Sequence, residues 1–121
     1  VNALDVGADV IVVSNHGGRQ LDGVESSIRT LPKIVHAVGD HMEIWVDGGI
    51  TKGQDLLKAL ALGARGALIG RAFLFGLGAY GKDGVTKALE IIYKETDMTM
   101  ALCGHRDIKM INRQIFTNSP F

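Results

Sequence analysis

The segment Val10–Asp22 reads VIVVSNHGGRQLD, and it decides the fold of this chain. Its first four residues form an unbroken apolar run, which is typical of a fully buried parallel strand. The polar residues that follow include His16 and Arg19, three positions apart and beside two glycines. Ligand sites of parallel α/β proteins lie at the carboxyl ends of the strands. The pattern therefore predicts an acid–base group next to an anion-binding group.

Strand and helix patterns alternate along the rest of the chain. The predicted strands cover Asp9–Ser14, Glu43–Asp47 and Gly66–Gly70. The predicted helical segments cover Asn2–Val6, Leu31–Val38, Gly53–Leu62, Arg71–Leu77 and Gly84–Cys103. Consecutive parallel strands joined by helices need cover on both faces, and three of them leave both sheet edges unpaired. The chain is therefore predicted to be α/β and part of an eight-fold (β/α)8, or TIM, barrel.

Several side chains are assigned to packing and capping. Thr30 is predicted to cap the helix Leu31–Val38, with Pro32 in its first turn, after a polar loop over Asn15–Arg29. The residues after Asn112 are expected to be loosely ordered. The last helix is expected to bury Val85, Ala88, Leu89, Ile92, Met98, Met100 and Leu102. Surface or core positions, with no metal-ligand spacing, are expected for Trp45, His36, His41 and His105.

Length and composition narrow the class of protein. The 121 residues are expected to form one domain, and the formal net charge of zero gives no reason to expect a nucleic-acid partner. The single cysteine, Cys103, excludes an internal disulfide and is expected to be a buried thiol in a reducing compartment. Apolar runs fall short of the roughly 20 residues of a membrane span. With no signal-peptide pattern either, a cytoplasmic location is expected.

A second glycine-rich segment follows the second predicted strand. Residues Asp47–Gly53 read DGGITKG, and Gly70 and Arg71 follow the third strand. Glycines at a strand exit let the backbone approach an anion, and the next helix is expected to present free N–H groups to it. Arg71 would add a charge-assisted bond to a phosphate oxygen. The alternative is that these glycines only permit tight turns between strand and helix.

The same residues resemble a known family. Ser14–Asp22 resembles the signature of the FMN-dependent α-hydroxy-acid oxidising enzymes, which include glycolate oxidase and the L-lactate dehydrogenases. The resemblance continues through Val46–Gly53, Lys58–Gly63 and Gly70–Phe75. The segment Cys103–Ile108 is similar to the bacterial, membrane-associated L-lactate dehydrogenase branch. The resemblance therefore implies that residues 1–121 are the C-terminal portion of such a barrel, equal to its strands six to eight.

The resemblance also implies roles for individual residues and a cofactor, FMN. His16 matches the base that takes a proton from the substrate, and Arg19 matches the arginine that binds the substrate carboxylate. The substrate would be L-lactate or a related 2-hydroxy acid, and the location the cytoplasm or the surface of the inner membrane. The positions that match cofactor contacts are Ser14, Asp47, Gly48, Gly49, Ile50, Thr51, Gly70 and Arg71.

Two departures from the family pattern leave two hypotheses for function. Thr51 stands where the family usually has an arginine, and the first five strands of the barrel have no counterpart in this chain. In the first hypothesis the chain is the C-terminal piece of an enzyme, completed by a complementary N-terminal chain. In the second it is a catalytically inactive remnant of a split gene that folds as an oligomer without FMN. The open sheet predicts self-association in either case.

Overall fold

The computed structural model describes residues 2–117 and contains one sheet of three parallel strands. They are β1 (Val10–Val13), β2 (Glu43–Asp47) and β3 (Gly66–Leu68), in the spatial order β1-β2-β3. The register places Val12 opposite Trp45, and Trp45 opposite Gly66. The predicted strands, their parallel direction and the open sheet are confirmed. Because all three strands run the same way, their carboxyl ends lie at one edge of the sheet.

Helices connect the strands and cover one face of the sheet. The α-helices are α1 (Asn2–Asp5), α2 (Ser27–Val38), α3 (Gly53–Ala61) and α4 (Arg71–Leu102). Short 3-10 turns cover His16–Gly18, Ile108–Met110 and Arg113–Ile115. Among the residues described, no helix is both long enough and apolar enough to span a bilayer.

The start of α2 differs from the prediction. The helix begins at Ser27, inside the predicted loop, and Ser26 occupies its cap position with an extended backbone. The Ser26 carbonyl accepts the first helical N–H groups, so Thr30 is not the cap and Pro32 lies beyond the first turn. The Thr30 hydroxyl instead donates to the Glu25 carboxylate at 3.2 Å. A polar first turn carries no apolar periodicity, which is why the pattern placed the helix too late.

Helix α4 consists of two helical segments, as predicted, with a break at Tyr80 and Gly81. Gly81 has φ +57° and ψ −135°, which lie outside the helical region. On either side of the break Gly76 and Gly84 pack backbone against backbone, so a Cβ added to either residue would overlap the carbonyl oxygen of the other. The absence of both side chains lets the short segment, 71–79, fold back against the long one, 82–102.

The core lies between the sheet and the helices. The most deeply buried side chains are Leu31, Ile44, Val46 and Leu57. On the other face of the sheet Val10 and Val12 are each 44% exposed and Leu68 is 42% exposed. The prediction that β1 is fully buried is therefore wrong for this chain, because no described residue covers this open face. In a closed barrel the corresponding face points into the barrel interior.

The outer surface of α4 also differs from the prediction. Ile92 and Met100 are buried as expected, whereas Leu89, Met98 and Leu102 are exposed. Cys103 is exposed rather than buried. The 3-10 turn after Asn112 packs Ile115 and Phe116 against a cluster that includes Leu57 and Met100. The tail is therefore packed through Ile115 and Phe116, contrary to the prediction of a loose tail, and residues 118–121 lie outside the described part of the chain.

Candidate functional site

The exits of β1 and β2 are joined by a hydrogen bond between two predicted site residues. The Ser14 hydroxyl donates to Asp47 Oδ2 at 2.6 Å, and Ser14 Oγ in turn accepts the backbone N–H of His16 at 3.1 Å. The register places these strand ends side by side, since Val13 is paired with Val46. Residues 33 positions apart in the sequence are thus brought together by the parallel sheet.

His16 lies in a tight turn with an unusual backbone. Its φ is +56°, a left-handed conformation that few residues other than glycine adopt, and Gly17 and Gly18 follow with φ +67° and +70°. The N–H of Gly18 donates to the carbonyl of Asn15 at 3.0 Å. Arg19 closes the turn through its N–H, which donates to the His16 carbonyl at 3.4 Å. The structure therefore places both His16 and Arg19 on one exposed turn at the carboxyl edge of the sheet.

A shallow depression opens beside this turn. It is lined by Ser14, Asn15, His16, Gln20, Leu21, Val24, Glu25 and Thr30. The Glu25 carboxylate accepts hydrogen bonds from Lys33 Nζ at 2.8 Å and from Thr30. The hydrogen bond from Lys33, reinforced by that from Thr30, lowers the pKa of Glu25 below its usual value. The depression thus has an ionised wall formed by the start of α2.

The glycine loop after β2 is open on one side and backed on the other. Gly48 and Gly49 have φ +101° and +79°, values that a residue with a side chain rarely adopts. A Cβ at Gly48 would lie 3.4 Å from Ser27 Oγ, whereas a Cβ at Gly49 would meet no heavy atom within 4 Å. Ile50 is buried in the core, so only its backbone is available to a ligand.

The amino terminus of α3 is closed by carboxylates of the chain itself. Asp55 Oδ2 accepts from the N–H of Thr51, from the Thr51 hydroxyl and from the N–H of Lys52, at 3.0–3.1 Å. The N–H of Gly53 donates to Glu95 Oε2 at 2.8 Å. The prediction that this helix offers free N–H groups to an anion therefore fails at Gly53, and the donors of Thr51 and Lys52 just before the helix also have a carboxylate acceptor.

The amino terminus of α4 is open by comparison. Gly70 precedes the helix, Arg71 is its first residue and is exposed, and no side chain of residues 2–117 caps this end. The first N–H groups of a helix have no acceptor within the helix. A Cβ at Gly70 would meet no heavy atom within 4 Å. Of the two loops predicted to bind an anion, the one that begins α4 therefore retains free donors and a cation.

Four polar residues of the site were not identified from the sequence. Ser27, Glu25 and Asp55 lie close to the predicted residues, and Glu95 reaches the site from α4. The position of Asp55, three residues after Lys52, is a capping-box spacing and was a usable signal.

In residues 2–117 there is no group of three or more His, Cys, Asp or Glu side chains that could hold a metal ion.

Comparisons with known proteins identify relatives of this chain. The family model described as FMN-dependent dehydrogenase matches residues 1–118. An L-lactate dehydrogenase of Caulobacter vibrioides is 57% identical over 113 residues, which are 93% of this chain and 30% of the relative. The 2-hydroxyacid oxidase 1 of Mus musculus is 47% identical over 118 residues, 98% of this chain and 32% of the oxidase.

Solved structures of related enzymes superpose closely on the chain. An (S)-mandelate dehydrogenase structure gives a TM-score of 0.92 at 39% identity, covering 98% of this chain and 33% of its own. A mandelate oxidase structure that holds a monooxide FMN adduct gives 0.88 at 48% identity, covering 93% of this chain and 36% of the oxidase. The chain therefore spans about a third of the length of the relatives that it matches.

Proposed function

Because this chain belongs to the FMN-dependent dehydrogenase family, we propose that it is the portion of an oxidoreductase that binds the FMN phosphate and the substrate carboxylate. The substrate is L-lactate or a related small 2-hydroxy acid, which is the chemistry named for its relatives. The observation that carries the proposal is the Ser14–Asp47 hydrogen bond, which joins the His16 turn to the glycine loop at 2.6 Å.

The donor set at the strand exits fits the polar end of FMN. The open amino terminus of α4 and the Arg71 guanidinium would hold the phosphate, since helix N–H groups and arginine both favour phosphate oxygens. The backbone of Gly49 is clear of other atoms and can approach the ligand closely. The Ser14 hydroxyl and the Asp47 carboxylate would bind ribityl hydroxyl groups. Thr51 adds no charge, because it is neutral and its hydroxyl is held by Asp55.

The residues of the His16 turn would handle the substrate. The imidazole of His16 takes the proton that leaves the substrate, and the left-handed backbone at this residue sets where the ring stands above the sheet. The Arg19 guanidinium pairs with the two carboxylate oxygens of the acid, a planar match that also orients the reacting carbon. When bound, FMN supplies the electron-pair acceptor for the oxidation.

Turnover requires the strands of the barrel that residues 1–121 do not include. We propose a complementary N-terminal chain or, failing that, a second copy of this chain as the partner that covers the open face of the sheet. The exposed apolar side chains of β1 and β3 favour such a contact. By family resemblance the assembled protein would act in the cytoplasm or at the surface of the inner membrane.

The second candidate function is a folded remnant that does not hold FMN. The observation that favours it is in the loop after β2, where the N–H groups of Thr51 and Lys52 already donate to the Asp55 carboxylate. With the neutral Thr51 in place of an arginine, the loop lacks one charge-assisted bond to phosphate, which is worth roughly 10- to 150-fold in affinity. The remnant therefore keeps the fold and loses the cofactor.

Titration of FMN and of inorganic phosphate against the purified chain, followed by flavin fluorescence and by NMR, tests the proposal. We expect weak binding of both ligands, loss of binding in Arg71→Ala and unchanged binding in His16→Ala. Arg65→Ala is the matched control, because Arg65 is exposed at the opposite end of β3. No phosphate or FMN binding by the unmodified chain, at millimolar ligand, would favour the remnant.

Oxidation of L-lactate is a separate test, with an artificial electron acceptor as the readout. The isolated chain is expected to show no measurable rate, because base catalysis requires a positioned base and a bound electron acceptor together. Activity above that of the His16→Ala variant would show that an oligomer rebuilds the missing half of the site.

A further inference from the structure

One polar group close to this site, the hydroxyl of Ser27, makes no hydrogen bond within the described part of the chain. Ser27 is the first residue of α2 and is only 5% exposed. Its Oγ is buried and has no hydrogen-bond partner among residues 2–117. Buried hydroxyl groups are nearly always partnered, because loss of hydration without a replacement bond is costly. This group therefore requires an acceptor or donor close by.

The surroundings of Ser27 Oγ point to one neighbour. The position that a Cβ of Gly48 would take lies 3.4 Å from Ser27 Oγ and 3.7 Å from Asn15 Oδ1. The hydroxyl and the carboxamide oxygen thus both lie next to Gly48. A hydroxyl can donate and a carboxamide oxygen can accept, so the pair is complementary.

Asn15 is the residue that precedes the strained His16 turn. Its carbonyl accepts the Gly18 N–H, so its position governs the turn directly. Its side-chain Nδ2 reaches the Glu25 carbonyl at 3.4 Å, near the limit of a hydrogen bond. The left-handed backbone at His16 persists only if its surroundings hold it, and a single long bond from Asn15 holds it weakly.

We propose that Ser27 is a positioning residue for the His16 turn. Its hydroxyl donates to Asn15 Oδ1, and this hydrogen bond holds Asn15 next to Gly48 in the glycine loop. The bond forms by rotation of the two side chains. Ser14 and Asp47 join the exits of β1 and β2 on the open side of the sheet. The bond between Ser27 and Asn15 would join the turn after β1 to the start of α2, next to Gly48. The orientation of His16 is then fixed from two sides before any ligand binds.

Amide hydrogen exchange of the His16 turn, measured by NMR on the full chain, tests this role without FMN. The Ser27→Val and Ser27→Thr variants have side chains of nearly the same shape, but only threonine retains the hydroxyl. We expect Ser27→Val to accelerate exchange at His16 and Gly18 about threefold to tenfold, the worth of one hydrogen bond, and Ser27→Thr to stay within about twofold. Ser26→Ala is the matched control, since Ser26 is exposed and its side chain makes no capping bond.

Three outcomes would overturn the proposal. Equal exchange in the valine and threonine variants would show that the hydroxyl makes no bond to the turn. Acceleration spread equally over the amides of β2 would show that Ser27 contributes to global stability alone. The same acceleration in Ser26→Ala would assign the effect to the end of α2. A local increase that occurs in Ser27→Val and is absent from the other two variants supports the proposal.

Discussion

Helices α3 and α4 begin after neighbouring strands at the same edge of the sheet, yet their amino termini are completed in opposite ways. At α3 the N–H of Lys52, the residue before the helix, donates to Asp55, and the N–H of Gly53, its first residue, donates to Glu95. At α4 no side chain of residues 2–117 caps the first N–H groups, and Arg71 is beside them. The positive end of a helix dipole attracts an anion in both cases. The start of α3 has carboxylates of the chain itself as its anions, whereas the start of α4 has none among these residues, which is why we propose the phosphate there.

The largest expected effect on stability comes from replacing the glycine at the start of α3 by alanine, compared with the same change at the start of α4. A Cβ at Gly53 would overlap the Thr96 backbone and come within 2.6 Å of Glu95 Cβ, whereas a Cβ at Gly70 meets nothing within 4 Å. We expect Gly53→Ala to lower the free energy of unfolding by about 3 kcal/mol through overpacking. Gly70→Ala should cost less than about 1 kcal/mol. Urea denaturation of both variants checks this, and equal losses would contradict the comparison.

Removal of the carboxylate supplied by α4 should have the next largest effect. Glu95→Ala leaves the N–H of Gly53 without its acceptor in a part-buried position. We expect a loss of about 2 kcal/mol in the free energy of unfolding, within the range for hydrogen bonds to charged groups. Glu95→Gln keeps an acceptor oxygen and should recover part of this loss. Thermal unfolding by circular dichroism gives the ranking. A glutamine variant no better than the alanine variant would contradict a role for the hydrogen bond.

Removal of the local carboxylate should cost less. Asp55→Ala exposes the N–H groups of Thr51 and Lys52 at the protein surface, where water replaces the lost acceptor. A loss of about 1 kcal/mol is expected, as for other helix caps. Asp83→Ala, at an exposed position of α4 without a recorded bond among the residues described, is the control. Loss of a similar size in both variants would show that Asp55 acts through charge alone.

The sequence predicted the amino termini of α3 and α4 only in part, because some hydrogen-bond partners are far apart in the sequence. β2 was predicted to the residue, because Gly48 and Gly49 mark the end of its apolar segment. Asp55 was within reach of a capping rule, since its partners are three and four positions away. Glu95 lies 42 residues from Gly53, and no local pattern pairs them. Their contact depends on how α4 packs on α3.

Burial was harder to predict than secondary structure for a related reason. The apolar run of β1 was interpreted as fully buried, yet Val10 and Val12 are exposed on the open face. Leu89, Met98 and Leu102 fit an amphipathic helix, yet they are exposed as well. A sequence records which side chains prefer burial, and no element formed by residues 2–117 covers these side chains. The burial of Ser27 carries no sequence signal at all.

The smallest effect concerns the start of α2, where an ion pair is exposed to solvent. The Lys33 ammonium, 2.8 Å away, lowers the pKa of Glu25 below the usual 4.5. Lys33→Ala should raise that pKa toward 4.5, as followed by NMR titration of the carboxyl carbon. The contribution to stability is present above the unfolded-state pKa and is lost as pH falls through the lower folded-state value. Lys87→Ala, which breaks an exposed pair on α4, should leave the Glu25 titration unchanged.

The break in α4 places Arg71 on a short helical segment of its own. This segment, 71–79, meets the long one at Tyr80 and Gly81 and packs against it through the Gly76–Gly84 contact. The position of Arg71 therefore depends on the close approach of two glycine backbones. A side chain at Gly76 would overlap the Gly84 carbonyl, so the two segments would have to separate and Arg71 would shift with its own.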